Sequence, residues 1–362
     1  MISMGTACPF WTKNACVAPS SRATAHTLPP PNGAATNQTG TPDNSITPTP
    51  TPTPGPTPNQ LVWTYGITEA GATVNHVDIS ANGVHIVAGT STGNVLRLTD
   101  QGLLGWTFDG AAVAPEGVAQ RSVTGLAIDL DGNRILAGFT DDLSTKTAAG
   151  ALHMLDDRPF TLWFVSVGGP VTGVDISDDG SRTMAGPADR KVSSYNMDGA
   201  VRWTVESSDV GGQPANVAAV SADGSRAVAG GQTSQAYLLN ADGAKIWTFE
   251  ADGAIKDVAV STSGNRVGVG TASGSVYVLN SQGAAIRQVS HPETSILALV
   301  INSSGSLLAA GTADGRAFAF NGQGVMSWEV FLGGSVSSVG VNFSGNKIVA
   351  ASGNTIYLLS VQ

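Results

Sequence analysis

The sequence predicts an all-β protein, a seven-bladed β-propeller with four-stranded blades, from three observations. A short alternating strand that ends in a turn glycine occurs seven times, with the glycines at 83, 132, 180, 224, 264, 305 and 345. The intervals between the last four of these glycines are nearly equal, so one sequence unit repeats at an almost constant period. Each unit holds four short apolar segments separated by turns, which is the pattern of a propeller blade.

The four strands of a unit are clearest in the first repeat. The inner strand reads HVDIS at 76–80, the second ends in the small residues VAG at 87–89, and the third reads NVLRL at 94–98. The fourth strand carries a tryptophan eight residues after the last apolar residue of the third. This position holds Trp106, Trp163, Trp203, Trp247 and Trp328, with Arg287 in the fifth unit. Large apolar groups at one regular position predict packing between adjacent blades rather than a surface for stacking glycans.

The two ends of the chain are predicted to share the seventh blade. The seventh unit stops just after its third strand, TIYLL at 355–359, whereas an unpaired fourth strand, LVWTY at 61–65, precedes the first unit. We therefore expect the N-terminal strand to complete the last blade and close the ring.

The strand order, the period and this closure resemble the WD40 and quinoprotein-like (PQQ-like) propeller superfamily over residues 61–362. The Gly-His and Trp-Asp pairs of WD40 repeats do not occur, and the unit LLNADGAKIWTF at 238–249, with glycine four residues before tryptophan, looks more like the quinoprotein-type repeat. Quinoprotein enzymes typically have eight blades, adjacent cysteines and calcium-binding acidic groups, and this chain has no adjacent cysteines. The resemblance implies a fold, and we expect no cofactor.

Residues 1–60 differ in composition from the domain at 61–362. The run TPTPTPTPGPTP at 47–58 excludes helix and sheet and predicts an extended spacer within a disordered Thr/Pro-rich tether. Such tethers are typical of cell-surface proteins, so we expect an extracellular or cell-surface location, although no signal peptide is visible in the chain. Cys8 and Cys16 are candidates for a disulfide, with two free thiols as the alternative. Candidate glycosylation sequons begin at Asn37, Asn302 and Asn342.

The charge balance argues against nucleic acid as a partner. The chain has 18 Lys and Arg against 27 Asp and Glu, a net charge of -9, and no basic cluster. A nucleic-acid-binding protein needs a basic face to displace counterions from phosphates. No segment approaches the roughly 18 consecutive apolar residues of a membrane helix, so we also expect no membrane span.

No catalytic or metal-binding constellation is visible. The segment at 129–133, DLDGN, looks like part of a calcium loop, but the same site reads SANG, SDDG or STSG in other units, which predicts a hairpin turn. The histidines lack metal-ligand spacing, and no Gly-x-Ser-x-Gly motif occurs; the histidines are His26, His76, His85, His153 and His291. We therefore expect no catalytic residues and no metal.

Insertions break the repeat in two of its connections. The stretch from the second-strand glycine to the end of the third strand covers 138–155 in the second unit but only 89–98 in the first. The stretch from the tryptophan to the next inner strand covers 106–126 before the second unit but only 247–258 before the fifth. In an up-and-down blade both connections lie on one face of the disc.

The two longest insertions, 110–121 and 139–150, are candidates for a binding site, because loops held by a rigid scaffold often carry function. Their candidate binding residues are Glu116, Arg121, Asp141, Asp142 and Lys146. The alternative is that these are tolerated surface insertions.

The sequence thus predicts a non-enzymatic recognition or scaffold propeller, displayed on a tether, that binds a protein or glycan through one face. A quinoprotein-like or lyase-type propeller enzyme is the first alternative. A structural subunit of a surface layer or filament, which would self-assemble, is the second, and the low charge and the tether favour it.

Overall fold

The computed structural model describes residues 60–143, 149–187, 191–206, 215–291 and 293–361, and the structural statements below concern these residues. They form seven four-stranded antiparallel sheets arranged as a seven-bladed β-propeller, which confirms the predicted fold. The predicted tether up to residue 59 lies outside the described residues, and so do Cys8, Cys16, Asn37 and Lys146.

Each of the first six blades is built from four consecutive strands. Blade 1 comprises β2 (Val74–Ile79), β3 (His85–Thr90), β4 (Asn94–Thr99) and β5 (Leu104–Asp109); blade 2 comprises β6 (Val118–Ile128), β7 (Arg134–Leu143), β8 (Ala149–Asp156) and β9 (Thr161–Val167). Blade 3 comprises β10 (Val171–Ile176), β11 (Arg182–Pro187), β12 (Lys191–Asn196) and β13 (Val201–Glu206); blade 4 comprises β14 (Ala215–Val220), β15 (Arg226–Gly231), β16 (Gln235–Asn240) and β17 (Lys245–Glu250). Blade 5 comprises β18 (Ile255–Val260), β19 (Arg266–Thr271), β20 (Ser275–Asn280) and β21 (Ala285–Ser290); blade 6 comprises β22 (Ile296–Ile301), β23 (Leu307–Thr312), β24 (Arg316–Asn321) and β25 (Met326–Phe331). A short 3-10 helix, Ala111–Val113, lies between blades 1 and 2.

Blade 7 joins the two ends of the domain, as predicted. It comprises β26 (Val336–Val341), β27 (Lys347–Ser352), β28 (Thr355–Ser360) and, as its outer strand, β1 (Leu61–Gly66). β1 pairs antiparallel with β28, with Trp63 opposite Leu358 and Tyr65 opposite Ile356. The ring is therefore closed by backbone hydrogen bonds between the first and the last strand of the described chain.

The turn between the first and second strands is the most constant element of the repeat. Its glycine has a φ between 67° and 76° in all seven blades, a conformation that only glycine adopts without strain. In blade 1, the Gly83 N–H donates to the Ser80 carbonyl at 2.7 Å, and the Ser80 hydroxyl accepts the His85 N–H at 3.0 Å. These local bonds explain why a small polar residue precedes every one of these glycines by three positions.

The hydrophobic core lies between neighbouring blades. One cluster, for example, joins Val349 and Leu358 of blade 7 to Val77 and Ile86 of blade 1, all of them buried. Small and β-branched side chains dominate these clusters, since they fill the space between two twisted sheets that face each other.

In five of the seven blades the tryptophan of the outer strand fastens its blade to the next, which confirms the predicted role of these residues in packing. In five blades the indole Nε1 donates to a carbonyl in the turn between the third and fourth strands of the next blade, at 2.9–3.1 Å. The pairs are Trp63 with Asp100, Trp106 with Asp157, Trp163 with Met197, Trp203 with Ala241, and Trp247 with Ser281.

Candidate binding face and central channel

The disc has two faces that differ in what they present. We call the side that carries the seven glycine turns the turn face. The opposite side carries the second-to-third-strand turns and the connections between blades, and we call it the insertion face. Because each inner strand runs from the insertion face to the turn face, residues added before an inner strand project on the insertion face.

Blade 2 is lengthened on the insertion face. From the start of its inner strand to its turn glycine, blade 2 spans 118–132, whereas blade 1 spans only 74–83 and the other five blades match blade 1. β7 and β8 are also longer than their counterparts in the other blades. Residues 118–122 and 140–142, which we call the blade 2 extension, add roughly 15 Å to the hairpin at about 3.3 Å per residue.

The sequence analysis predicts loops at both insertions. This prediction is wrong for the parts of them that belong to strands β6, β7 and β8. They flank the same hairpin and pair with each other as strands, with Gln120 opposite Asp142. The prediction rested on the place of both insertions in connections of the repeat, which gives no sign that they pair with each other.

Arg121 and Asp141, two of the predicted binding residues, form a buried ion pair inside this extension. Arg121 Nε lies 2.5 Å from Asp141 Oδ1 and Nη2 lies 2.9 Å from Oδ2, and the two residues are 3% and 2% exposed. Arg121 Nη1 also donates to the Gly110 carbonyl at 3.1 Å, and the guanidinium lies 4.8 Å from the centre of the Phe139 ring. The pair thus holds the hairpin to the connection from blade 1, and a partner at the surface would not reach it.

The other predicted binding residues lie at the surface or outside the described part of the chain. Glu116, before β6, and Asp142, on β7, are exposed, and Gln120 is exposed beside Asp142. Lys146 is not among the described residues. The structure therefore divides the predicted set into an internal clamp, Arg121 with Asp141, and an exposed acidic pair, Glu116 and Asp142.

An aromatic cluster that the sequence analysis missed supports the extension from below. His153 of β8 is surrounded by Phe108, Phe139 and Phe164, with ring centres 5.2–6.2 Å away. Burial lowers the pKa of His153 to about 4, and the nearby Arg121 charge acts in the same direction, so the imidazole is neutral at pH 7. The signal in the sequence was a histidine in a strand that is otherwise apolar, which favours a structural histidine over a ligand.

The seven inner strands surround a central channel with a cavity of about 210 Å³. Four aspartates line it, and three of them, Asp78, Asp175 and Asp257, each bridge two blades through their carboxylates. Asp175 Oδ1 accepts the N–H of its neighbour Ile176 at 2.8 Å, while Oδ2 accepts the N–H of Val220 in the next blade at 2.7 Å. Asp78 and Asp257 do the same between blades 1 and 2 and between blades 5 and 6.

Ser338 performs the same bridging between blade 7 and blade 1, where its hydroxyl accepts the Val77 N–H at 3.1 Å. With the three carboxylates, it links each odd-numbered blade to its successor. These four bridging side chains are therefore explained by inner-strand N–H groups that no neighbouring strand satisfies.

The channel carboxylates are poor acids in the folded protein. Burial raises the pKa of Asp175 to about 8; the hydrogen bond from Val220 opposes the shift, and the nearby Asp78 carboxylate adds to it. Burial likewise raises the pKa of Asp78 and of Asp257 to about 7 in each case. His76, on the same inner strand as Asp78, has its pKa lowered by burial to about 4. Near pH 7 the channel is therefore far less charged than its composition indicates.

The turn face is tied together by backbone bonds between successive turns. Leu130 donates to the Asp178 carbonyl and Asp178 donates to the Ala222 carbonyl, both at 3.0 Å. The turn at 129–133 is one of these hairpin turns, as predicted, because the Asp129 carboxylate accepts the Asn133 N–H at 2.8 Å. Among the described residues, no three His, Cys, Asp or Glu side chains are placed to hold a metal ion.

Two of the sequon asparagines, Asn302 and Asn342, occupy the turn position that precedes the glycine by three. Both are buried, and each side-chain oxygen accepts a backbone N–H, from Leu307 and Lys347 respectively, at 3.0 Å. The Asn342 Nδ2 also donates to Asn346 Oδ1 at 2.8 Å. A glycan on either nitrogen would require the turn to open.

Comparison with known proteins adds no family assignment: no family model and no curated protein sequence matches the chain. The part of the chain that the structure describes contains no helix of the length and apolarity needed to cross a bilayer.

Proposed function

We propose that this protein is a non-catalytic recognition or scaffold propeller, displayed outside the cell on its N-terminal tether, that binds a protein or glycan through the insertion face at blade 2. The observation that carries the proposal is the blade 2 extension, a rigid projection that no other described blade has. Function in repeat proteins is often placed on the face where a repeat departs from the common length.

Rigidity is what distinguishes the extension from a tolerated loop. Its two strands are paired along their length, and the buried Arg121–Asp141 pair fixes them to the Gly110 connection. A surface that is ordered before binding loses little conformational entropy when a partner binds. A merely tolerated insertion would have no need of a buried, bidentate ion pair, which is costly to desolvate.

The exposed polar side chains on the extension and just before it favour a partner with cationic or hydroxyl groups. Glu116, Gln120 and Asp142 present carboxylates and an amide to solvent. The net charge of -9 adds a long-range field of the same sign. A basic protein surface or a glycan supplies matching donors.

The central channel is a second candidate site, because raised carboxyl pKa values are a common mark of acid–base catalysis. Here, however, both oxygens of each bridging carboxylate already accept a backbone N–H, as the pairs at Asp78 show. We therefore assign the channel carboxylates to fastening the blades and propose no reaction there.

Site-specific photo-crosslinking on intact cells of the native host tests the binding face. A photo-reactive amino acid at Glu116 or Asp142 is expected to capture the same partner, whereas the matched control at Asp131, exposed on the turn face, is expected to capture nothing in common. Adducts from Asp131 alone, or none from either Glu116 or Asp142, would contradict the proposed face.

The location is tested separately by mass spectrometry of the intact protein from the host, with and without reduction and deglycosylation. A processed N-terminus, a Cys8–Cys16 bridge or glycans in the tether support an extracellular protein. An unmodified chain of 362 residues with free thiols would contradict it.

A further inference from the structure

The outer strand of blade 2, β9, differs from the other six outer strands at one position. The residue after the tryptophan position is polar elsewhere: Thr64, Thr107, Thr204, Thr248, Gln288 and Glu329. In β9 it is Phe164, which is 66% exposed, and Leu162 in the strand and Phe160 just before it are 52% and 64% exposed. The pairing of β9 with β8 shifts register between Trp163 and Thr161, so the three residues do not alternate regularly; together they form an exposed apolar patch at the start of β9.

β9 also lacks the charged side chains that protect most outer strands from pairing edge to edge with another sheet. Five of the others carry at least one charged residue: Asp109 in β5, Arg202 and Glu206 in β13, Lys245 and Glu250 in β17, Arg287 in β21, and Glu329 in β25. β1 is uncharged too, but it keeps a threonine after its tryptophan. Charges on edge strands prevent two sheets from pairing edge to edge, and β9 has none.

One edge of β9 is open to a further strand. The sheet order of blade 2 is β6-β7-β8-β9, so the outer edge of β9 pairs with no strand of the described chain. Its backbone N–H and C=O groups on that edge suit an extended strand, and the side chains of that strand would cover part of the apolar patch beside them.

We propose that two copies of this chain pair through β9, antiparallel and about a twofold axis, to form a dimer at the rim of the disc. A twofold arrangement brings the same apolar patch together from both copies, and an uncharged strand opposes no like charges when it meets its own copy. The Thr/Pro run of the tether fits the edge less well, because proline has no N–H to donate to a ladder. This dimer is independent of the binding face proposed above, which is on the blade 2 extension.

Phe164 is the residue we place at the centre of the contact. It is held in position before association, because its ring stacks on the buried His153 at 5.8 Å between centres. An aromatic side chain that is both exposed and fixed loses little entropy on binding and is typical of the residues that dominate interfaces.

Sedimentation velocity of the full chain under reducing conditions, from about 1 to 100 μM, tests the dimer because this range brackets a micromolar dissociation constant. The wild type is expected to show a reversible monomer–dimer equilibrium. Phe164→Thr, which restores the residue type of the other blades, and Leu162→Lys, which adds a protective charge, are each expected to raise the dissociation constant at least about tenfold. Thr204→Lys, at the position in blade 3 that corresponds to Phe164, is the matched control. It is expected to leave the dissociation constant of the dimer unchanged.

Circular dichroism and thermal unfolding of each variant establish that it is folded, which is expected because both substitutions lie at exposed positions. A wild type that stays monomeric over the whole range overturns the proposal. So does a dimer whose dissociation constant is the same in Phe164→Thr and Leu162→Lys as in the wild type, because the contact then lies elsewhere.

Discussion

The Trp203 indole lies directly over Gly243 in the next blade. A Cβ atom added to Gly243 would approach the indole Cδ2 to 2.8 Å, and the glycine has a φ of +81°. The indole Nε1 donates to the Ala241 carbonyl of the same turn at 2.9 Å. Stacking and hydrogen bonding therefore depend on one residue without a side chain, and the same arrangement recurs with Trp63 over Gly102 and Trp247 over Gly283.

Gly243→Ala is expected to lower the free energy of unfolding by about 2 kcal/mol, since a strained backbone and a displaced ring are added together. Urea unfolding, monitored by tryptophan fluorescence, measures this change in the free energy of unfolding. Gly66→Ala is the matched control, because nothing lies within 4 Å of a Cβ built there and no positive φ is involved, and we expect a change below about 0.5 kcal/mol. Equal effects of the two substitutions would show that the stacked turn contributes little.

The repeat made the fold predictable, because seven copies of one strand-and-turn pattern agree with each other at every turn glycine. The location of Trp203 could be predicted for the same reason. The pairing of Arg121 with Asp141 could not, since it depends on the register of two insertions that are separate in the sequence. Their place in connections of the repeat suggested loops, but both insertions flank one hairpin and each supplies the backbone partners of the other.

The channel carboxylates left a signal that the sequence analysis did not use. Asp78 and Asp175 each stand five residues before a turn glycine, between two apolar residues of an inner strand. A charged residue at that position indicates an unsatisfied backbone group nearby. Which N–H it binds, Ile128 or Val220, depends on the spacing of the blades, and this is set by packing rather than by local sequence.

Arg121→Met is expected to destabilise the protein by about 3 kcal/mol or more, because it leaves the Asp141 carboxylate buried without a partner. The double variant Arg121→Met, Asp141→Leu is expected to recover much of this loss, since no buried charge then remains. Chemical denaturation measures both.

Arg158→Ala is the matched control for the ion pair, because Arg158 also contacts an aspartate, Asp156, but its side chain is 73% exposed. Exposed pairs contribute at most about 1 kcal/mol, so a small effect is expected. A double variant no more stable than Arg121→Met would mean that packing, and not the uncompensated charge, is what the substitution removes.

Stability is expected to depend on pH through the channel carboxylates. The pKa of Asp175 is about 8 in the folded protein, above its ordinary value of 3.8, so the folded state holds this proton where the unfolded state has lost it. The stability that this group contributes is therefore present at low pH and is lost as pH rises from about 4 to about 8. The lowered pKa values of His76 and His153 act in the opposite direction, but only below about pH 6.5.

Asp175→Asn isolates this effect, because the variant and the wild type share every other titrating group. The difference in free energy of unfolding between them is expected to shift in favour of the variant by up to about 1.4 kcal/mol per pH unit between pH 5 and 7.5. Asp131→Asn, at an exposed turn position, is the control. A difference that does not change with pH would show that the Asp175 carboxyl ionises normally in the channel.

Closure of the ring through β1 is testable with two truncated chains that differ only in that strand. A chain beginning at Gln60 keeps the pairing of β1 with β28 and the bond from Trp63 to the Asp100 carbonyl, so it is expected to unfold cooperatively like the full chain. A chain beginning at Ile67 exposes the edge of β28 and loses the apolar contacts of Trp63 and Tyr65 with the cluster between blades 7 and 1. We expect its midpoint of thermal unfolding to fall by at least about 10 °C, which corresponds to several kcal/mol in a domain of this size.

Adding a synthetic peptide of residues 60–67 is expected to restore part of the stability lost in the chain beginning at Ile67, increasingly so as the peptide concentration rises, because the peptide binds only the folded edge of β28. A scrambled peptide of the same composition is the control. If both truncated chains unfold at the same temperature, β1 is an accessory strand, and the packing between blades 7 and 1 alone holds the ring closed.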